Sequence, residues 1–273
     1  MSDPLLLSFR DERCLDVAVA GGKGASLAAM TAAGLPVPPG FVVPAGALEQ
    51  AIDRERLLAA ARAGDHEAAA AVVRAVEPPR VAIEEAYDEL GGGAVAVRSS
   101  ACAEDSEAAS YAGQQETYLN VEGADEVCAR IVECWASFFS ERALFYRGQK
   151  GSLDDLRMAV VVQRMVDPEK SGVVFTADPV QCRRDRMVIE AIFGLGEQVV
   201  SGEATPDHYV VDRAGDVVRE RLVNGGVLSV DELARLAGLG RQLEERFGCP
   251  QDIEWAIAGG ELYLLQSRPV TTL

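Results

Sequence analysis

Cations, histidines and metal-type cysteine patterns are scarce in this chain. Its 273 residues carry 26 Lys and Arg against 43 Asp and Glu, a formal net charge of −17 at pH 7. That balance excludes a nucleic-acid backbone as the main partner, because phosphates would be repelled; it is otherwise what a solvated acidic surface produces. The two histidines are His66 and His208. The six cysteines (Cys14, Cys102, Cys128, Cys134, Cys182, Cys249) form no CxxC pair and do not cluster with the histidines. They read as reduced, mostly buried small hydrophobes of a cytosolic protein. No apolar run reaches the length that spans a bilayer. No basic segment precedes the short Leu5-Leu6-Leu7 run, so no secretory signal is expected and the expected location is cytoplasmic.

What is present is an ordinary globular composition, 48% hydrophobic and 25% charged, with enough length for one large bilobal domain or two small ones. Glycine- and proline-rich punctuation marks 16–45, where Ser26 to Ala33 reads as a short helix ended by Gly34. Residues 46–90 predict two or three helices, broken near Gly64 and Pro78-Pro79. Ala94 to Val97 reads as a buried strand ending in Arg98-Ser99-Ser100. A polar loop and a strand, Thr117 to Val121, follow. One helix is expected from Ala124 to about Arg147, with Val127, Ile131, Cys134, Phe138 and Phe139 on one side. The second half is richer in strands, with a helix over Asp231 to Phe247 before a closing hairpin. The pattern predicts an α+β protein of two lobes, about 1–165 and 166–273, with a cleft between them.

The closing hairpin carries the most chemistry. Asp252 and Glu254 share one face of its first strand and Gln266 and Arg268 one face of its second. Acidic and amide oxygens suit Mg²⁺, and an Arg fork suits phosphate. Convergence depends on register. A three-residue Gly259-Gly260-Glu261 loop sets Glu254 opposite Gln266, whereas a two-residue Gly259-Gly260 turn sets Glu254 opposite Leu265 and sends Gln266 to the other face. The metal site is therefore expected to require the longer loop or a two-residue slip from it.

Phosphate-binding signals elsewhere are individually weak. Gly21-Gly22-Lys23-Gly24 places a lysine in a glycine loop that opens a helix, a suitable anion cradle but equally an ordinary turn. It is neither a P-loop, since Gly24 follows the Gly-Lys, nor a Rossmann fingerprint, since Leu27 holds the third glycine position. Arg98 ends a strand beside two serines, where a surface salt bridge would serve as well. The loop Ser110 to Thr117 could cover a triphosphate or simply join two strands.

Taken together, these segments carry a resemblance. GGKGASL (21–27), GLPVPPGFVV (34–43), AVRSSACAEDSEAASYAGQQETYLNV (96–121), VVVQRMVDPEKSGVVFTADPV (160–180), VIEAIFGLGEQVVSGEATPDHYVV (188–211) and DIEWAI with LYLLQSRPV (252–270) appear in order along nearly the whole chain. The sequence resembles the ATP-binding domain of the phosphoenolpyruvate synthase, pyruvate phosphate dikinase and rifampin phosphotransferase family, an ATP-grasp-like fold with the nucleotide cleft between its lobes. The resemblance implies ATP and Mg²⁺ as cofactors. It implies that Lys23, Arg98 and Arg268 hold the ATP phosphates, and that Gly113 and Thr117 belong to the loop covering them. Gln163 and Met165 match the segment that accepts adenine, and Glu190 lies toward the ribose. Glu254 and Gln266 match metal ligands, with Asp252 a neighbouring acid.

Two departures stand out. Cys102, Ser106 and Glu107 interrupt the family's Arg-Ser-Ser-Ala-Thr-Ala-Glu-Asp-Leu-Pro pattern, which affects loop shape rather than charge; Cys102 is expected to line the loop or be buried rather than act as a nucleophile. The family passes phosphate to a histidine in a Thr-Ser-His motif on a swivelling domain, and neither His66 nor His208 suits that role. No phosphohistidine domain and no pyruvate domain are expected within the chain. The expected function is a dikinase-type phosphotransferase that needs a partner histidine domain and releases AMP and phosphate. A direct small-molecule kinase and a non-catalytic nucleotide-binding module are the alternatives.

Overall fold

The computed structural model describes residues 5–102, 116–150, 153–196, 199, 202 and 204–271. The chain divides into two compact units, Met1–Ala32 with Pro39–Met165 and Ala33–Pro38 with Val166–Leu273. The Pro-rich segment after the first long helix joins the second unit, where Pro36 O accepts from Leu264 N–H at 2.8 Å.

In the first unit, β1 (Leu7–Ser8), β2 (Gly40–Val43), β3 (Val95–Ala101), β4 (Thr117–Val121) and β5 (Met158–Arg164) form an antiparallel sheet in the order β1-β2-β5-β3-β4. Helices α1 (Val17–Ala32), α2 (Ala47–Ala51), α3 (Arg54–Arg62), α4 (His66–Arg74), α5 (Arg80–Glu89), α6 (Ala124–Ser137) and α7 (Glu141–Lys150) accompany it. Alternation along the strands gives the sheet two faces. Phe41, Val43, Val95, Val97, Val160 and Val162 belong to one core with Val127, Ile131, Cys134 and Trp135 of α6. Trp135 also donates its indole N–H to Met158 O at 3.2 Å. The opposite face receives α1, whose Gly24 lies so close to Val42 and Val161 that an added Cβ would sit 3.2 and 3.6 Å from their methyls.

Two expected helices differ from those found. The single helix from Ala124 is broken at Phe138–Ser140 into α6 and α7. Arg147 of α7 is 1% exposed; it donates to Phe138 O at 3.2 Å and stacks 3.8 Å over the Phe138 ring. The periodicity of the apolar residues did not register this folding back. The helix expected from Ser26 starts earlier, because α1 comprises two helical stretches joined at Gly21, whose φ of 68° is open to glycine at little cost.

The second unit is a six-stranded antiparallel sheet, β11-β10-β6-β7-β8-β9. Its strands are β6 (Lys170–Phe175), β7 (Arg186–Phe193), β8 (Asp207–Asp212), β9 (Val217–Arg221), β10 (Gln251–Ala258) and β11 (Glu261–Pro269). Helix α8 (Val230–Phe247) starts on a capping box, Ser229 with Glu232, and stops at left-handed Gly248. It packs against β10 and β6. Among the described residues no helix is long and apolar enough to cross a membrane.

Candidate functional site

In the first unit the glycine loop is pressed onto the end of β3. Gly24 N–H donates to Ser100 Oγ at 3.2 Å, and Ser100 Oγ donates to Ala20 O at 2.9 Å. A Cβ on Gly21 would lie 2.3 Å from both Ser100 O and Ser100 Oγ, so glycine is required here by space as well as by φ. This docking carries Lys23 to β3, where its Nζ donates to Ser99 O at 2.7 Å. Ser100 was assigned no role from sequence; its hydroxyl is what ties the loop to the strand.

Arg98 is paired with Val161 on one side and Thr117 on the other, and Val161 is paired with Val42. Paired residues share a face, so Arg98 and Thr117 lie on the α1 face of the sheet, the side on which Lys23 sits. Gln163, paired with Gly40 and Ala96, is on that face too and is buried. Met165 closes the first unit, with its N–H on Ala94 O at 2.9 Å. Gly113 lies outside the described residues. Cys102 follows β3, and burial pushes its thiol up, so it is no thiolate at neutral pH.

In the second unit the closing hairpin corrects the expectation about its turn. The loop is the two-residue Gly259-Gly260, with φ of 60° and 78° and Ala258 paired with Glu261, the backbone of a type I′ turn. Counted from that turn, Glu254 would meet Leu265. Instead the register shifts between Glu254 and Trp255: Trp255 pairs with Leu264 and Glu254 with Gln266, leaving Leu265 as an extra residue. The bulge reverses the alternation of β11. Leu262 and Leu264 lie with Ile257 and Trp255, and beyond the bulge Gln266 and Arg268 lie with Glu254 and Asp252. No three-residue loop is needed.

The same register extends across the sheet. Glu254 pairs with Val173, Val173 with Glu190, and Glu190 with His208. One row on one face therefore reads Gln266, Glu254, Val173, Glu190, His208. In the adjacent row Arg268 pairs with Asp252, and Arg268 Nε donates to Asp252 Oδ2 at 2.8 Å. Burial raises the Asp252 carboxyl above its ordinary value, opposed by Arg268 and reinforced by the negative charges of Glu254 and Glu190. Asp252 thus orients Arg268, whose own side chain is 58% exposed.

Among the described residues no group of three His, Cys, Asp or Glu side chains is placed to hold a metal by itself. The carboxylate of Glu254 and the amide oxygen of its cross-strand partner Gln266 are nevertheless the donor types that fit Mg²⁺, which takes one or two protein oxygens and completes its shell with water and substrate phosphate. They do not fit a soft metal, which wants sulfur or imidazole.

Comparison with known proteins decides the family. The pyruvate phosphate dikinase AMP/ATP-binding domain matches residues 17–226 and 217–273. The chain belongs to this family. A probable phosphoenolpyruvate synthase from Archaeoglobus fulgidus is 43% identical over 305 residues, covering 94% of this chain and 40% of that protein. A rifampicin phosphotransferase from a Streptomyces species is 39% identical over 320 residues, covering 100% of this chain and 36% of the relative. The chain thus spans about two-fifths of the length of these relatives. A solved D-alanyl-alanine synthetase A from Vibrio cholerae covers 91% of the chain at 13% identity and a TM-score of 0.44, a likeness too weak to carry an argument. In this dikinase AMP/ATP-binding domain, Arg98, Thr117 and Gln163 share one sheet face of the first unit, and Glu190, Asp252, Glu254, Gln266 and Arg268 share one sheet face of the second.

Proposed function

We propose that the chain binds ATP with Mg²⁺ in an ATP-grasp-like manner and passes a phosphoryl group to a histidine on a separate swivelling domain or partner protein, with AMP and phosphate as the other products. The observation that carries this reading is the pairing of Glu254 with Gln266 beside the Arg268–Asp252 ion pair, in a chain of the dikinase AMP/ATP-binding family. The relatives named phosphoenolpyruvate synthase and rifampicin phosphotransferase support the reaction class.

Phosphoryl transfer requires positioning and charge neutralisation more than covalent chemistry from the protein. Lys23 and Arg98 in the first unit and Arg268 in the second supply cations for the phosphates. Thr117 and Gly113 belong to the segment that covers them, Gln163 and Met165 receive the adenine, and Glu190 receives the ribose. Glu254 and Gln266 hold the metal, with Asp252 keeping Arg268 aimed. Bound Mg²⁺ supplies charge neutralisation at the phosphate oxygens. The setting is the cytoplasm, which suits six cysteines that are all free thiols.

The test is a product assay with ATP and Mg²⁺, with and without a supplied histidine domain of the Thr-Ser-His type. AMP and phosphate are expected only when that domain is present. ADP formed with a small-molecule acceptor would replace this reading by a direct kinase. ATP binding without turnover under both conditions would replace it by a binding module.

A further inference from the structure

We propose that His208 is a positioning residue: it holds Glu190 for a ribose hydroxyl and thereby sets the preference of this chain for ribonucleotides over deoxyribonucleotides. The inference rests on the reading of Glu190 as a nucleotide-binding residue.

Glu190 stands on a central strand, paired with Val173 on β6 and His208 on β8. Its Oε1 lies 3.4 Å from His208 Nδ1, and the side chains of His208 and Glu190 are only 26% and 30% exposed. A carboxylate only accepts, so Nδ1 is the donor. Among the described residues this imidazole is the side chain that hydrogen-bonds Glu190. On the other side of Glu190 comes apolar Val173 and then Glu254. The negative charges of Glu190 and Glu254 both bear on Asp252, so Glu190 faces like charge from the β10 side of its row. A carboxylate so placed gains by rotating away from its neighbours unless a donor holds it from the opposite side. His208 is that donor. With Oε1 held by the imidazole, Oε2 is presented in one direction, as a hydroxyl recognised by a single hydrogen bond demands. Arg221 of β9 is paired with His208 on its far side.

A hydrogen bond to a charged group is worth about a factor of ten or more in affinity. Binding of ATP, 2′-deoxy-ATP and 3′-deoxy-ATP, measured by calorimetry with Mg²⁺ present, tests the proposal. The unaltered protein should prefer ATP to one of the deoxy analogues by roughly tenfold or more. Glu190→Ala should abolish the preference. His208→Leu should reduce it to about twofold or less through weaker ATP binding, with the affinity for that analogue unchanged. His208→Asn, whose amide nitrogen falls near the position of Nδ1, should restore it, and His208→Gln, whose amide reaches the Nε2 position, should not. A preference that survives in both His208→Leu and His208→Gln overturns the positioning role alone, and the Gln variant decides if the Leu variant does not fold. An unaltered protein that binds ATP without discrimination overturns the ribose contact with it. Failure to bind ATP at all overturns the nucleotide reading beneath both.

Discussion

Glu254 lies directly opposite Gln266, although the Gly259-Gly260 turn taken alone would set it against Leu265. One unpaired residue, Leu265, accounts for the difference. Without the bulge, Gln266 would share the face of Ile253 and Trp255, which are 2% and 0% exposed, and its amide would have to be buried among apolar side chains. The bulge therefore keeps Leu262 and Leu264 in the core while placing Gln266 and Arg268 beside the acids of β10.

That pairing makes the metal assignment testable without turnover. Glu254→Ala and Gln266→Ala should each weaken Mn²⁺ binding in the presence of ATP by roughly tenfold or more. Electron paramagnetic resonance of the free ion measures this directly. Unaltered Mn²⁺ affinity in both variants would assign the metal to other residues.

Lys23→Ala should fold normally and lose ATP consumption. Its hydrogen bond to Ser99 O is partly exposed, so the stability lost is about 1 kcal/mol. Removing a phosphate cation should lower turnover by on the order of a hundredfold or more. Turnover with the supplied histidine domain, compared with a thermal melt, separates the two effects; normal rates would sink the assignment.

Gly21→Ala should act on structure first. The added methyl would collide with Ser100 and the residue would sit at φ 68°. The expected destabilisation is about 2–4 kcal/mol in a urea titration. Gly34→Ala, at φ 71° but with nothing within 4 Å of the new Cβ, should cost only about 1 kcal/mol. Equal costs at the two positions would mean that the loop does not press on β3.

Asp207 offers a pH test that needs no nucleotide. Its residue is fully buried, and its carboxylate accepts the backbone N–H groups of Val223, Asn224, Gly226 and Val227 at 2.6–2.9 Å. Burial alone would raise its pKa, but these donors together hold it below the ordinary 3.8. A depressed folded-state value means the stabilisation is fully present above 3.8 and is lost as pH falls through the folded value. Asp207→Asn should lower stability at neutral pH by about 2–4 kcal/mol and should lack this acid-dependent step. Parallel acid titrations of the two proteins in urea would reveal a step common to both if another carboxylate were responsible.

Much of this protein is written locally. Strands near 158–166, 209–212 and 217–219 and a helix over 231–247 are read from apolar runs and helical spacing between turn residues, and each is found within a few residues of those bounds. Residue types alone also mark the site candidates, because Mg²⁺ needs oxygen donors and phosphates need cations whatever the fold. The segment order along nearly the whole chain identifies the family.

Tertiary structure decided the rest, wherever an outcome depended on residues far apart in the chain. The break between α6 and α7 accompanies the burial of Arg147 against Phe138, a contact that helical periodicity does not encode. Ser100 acquires its role only when Gly21, 79 positions earlier, is pressed against it. Glu190 and His208 become one pair because β7 and β8 align. The turn at Gly259-Gly260 was not decided by sequence, because a two-residue turn with a bulge and a three-residue loop without one give the same pairing of Glu254 with Gln266. The structure takes the first course: both glycines adopt the left-handed conformation of a tight turn, and burial of Leu264 and Trp255 on the core face leaves Leu265 as the extra residue.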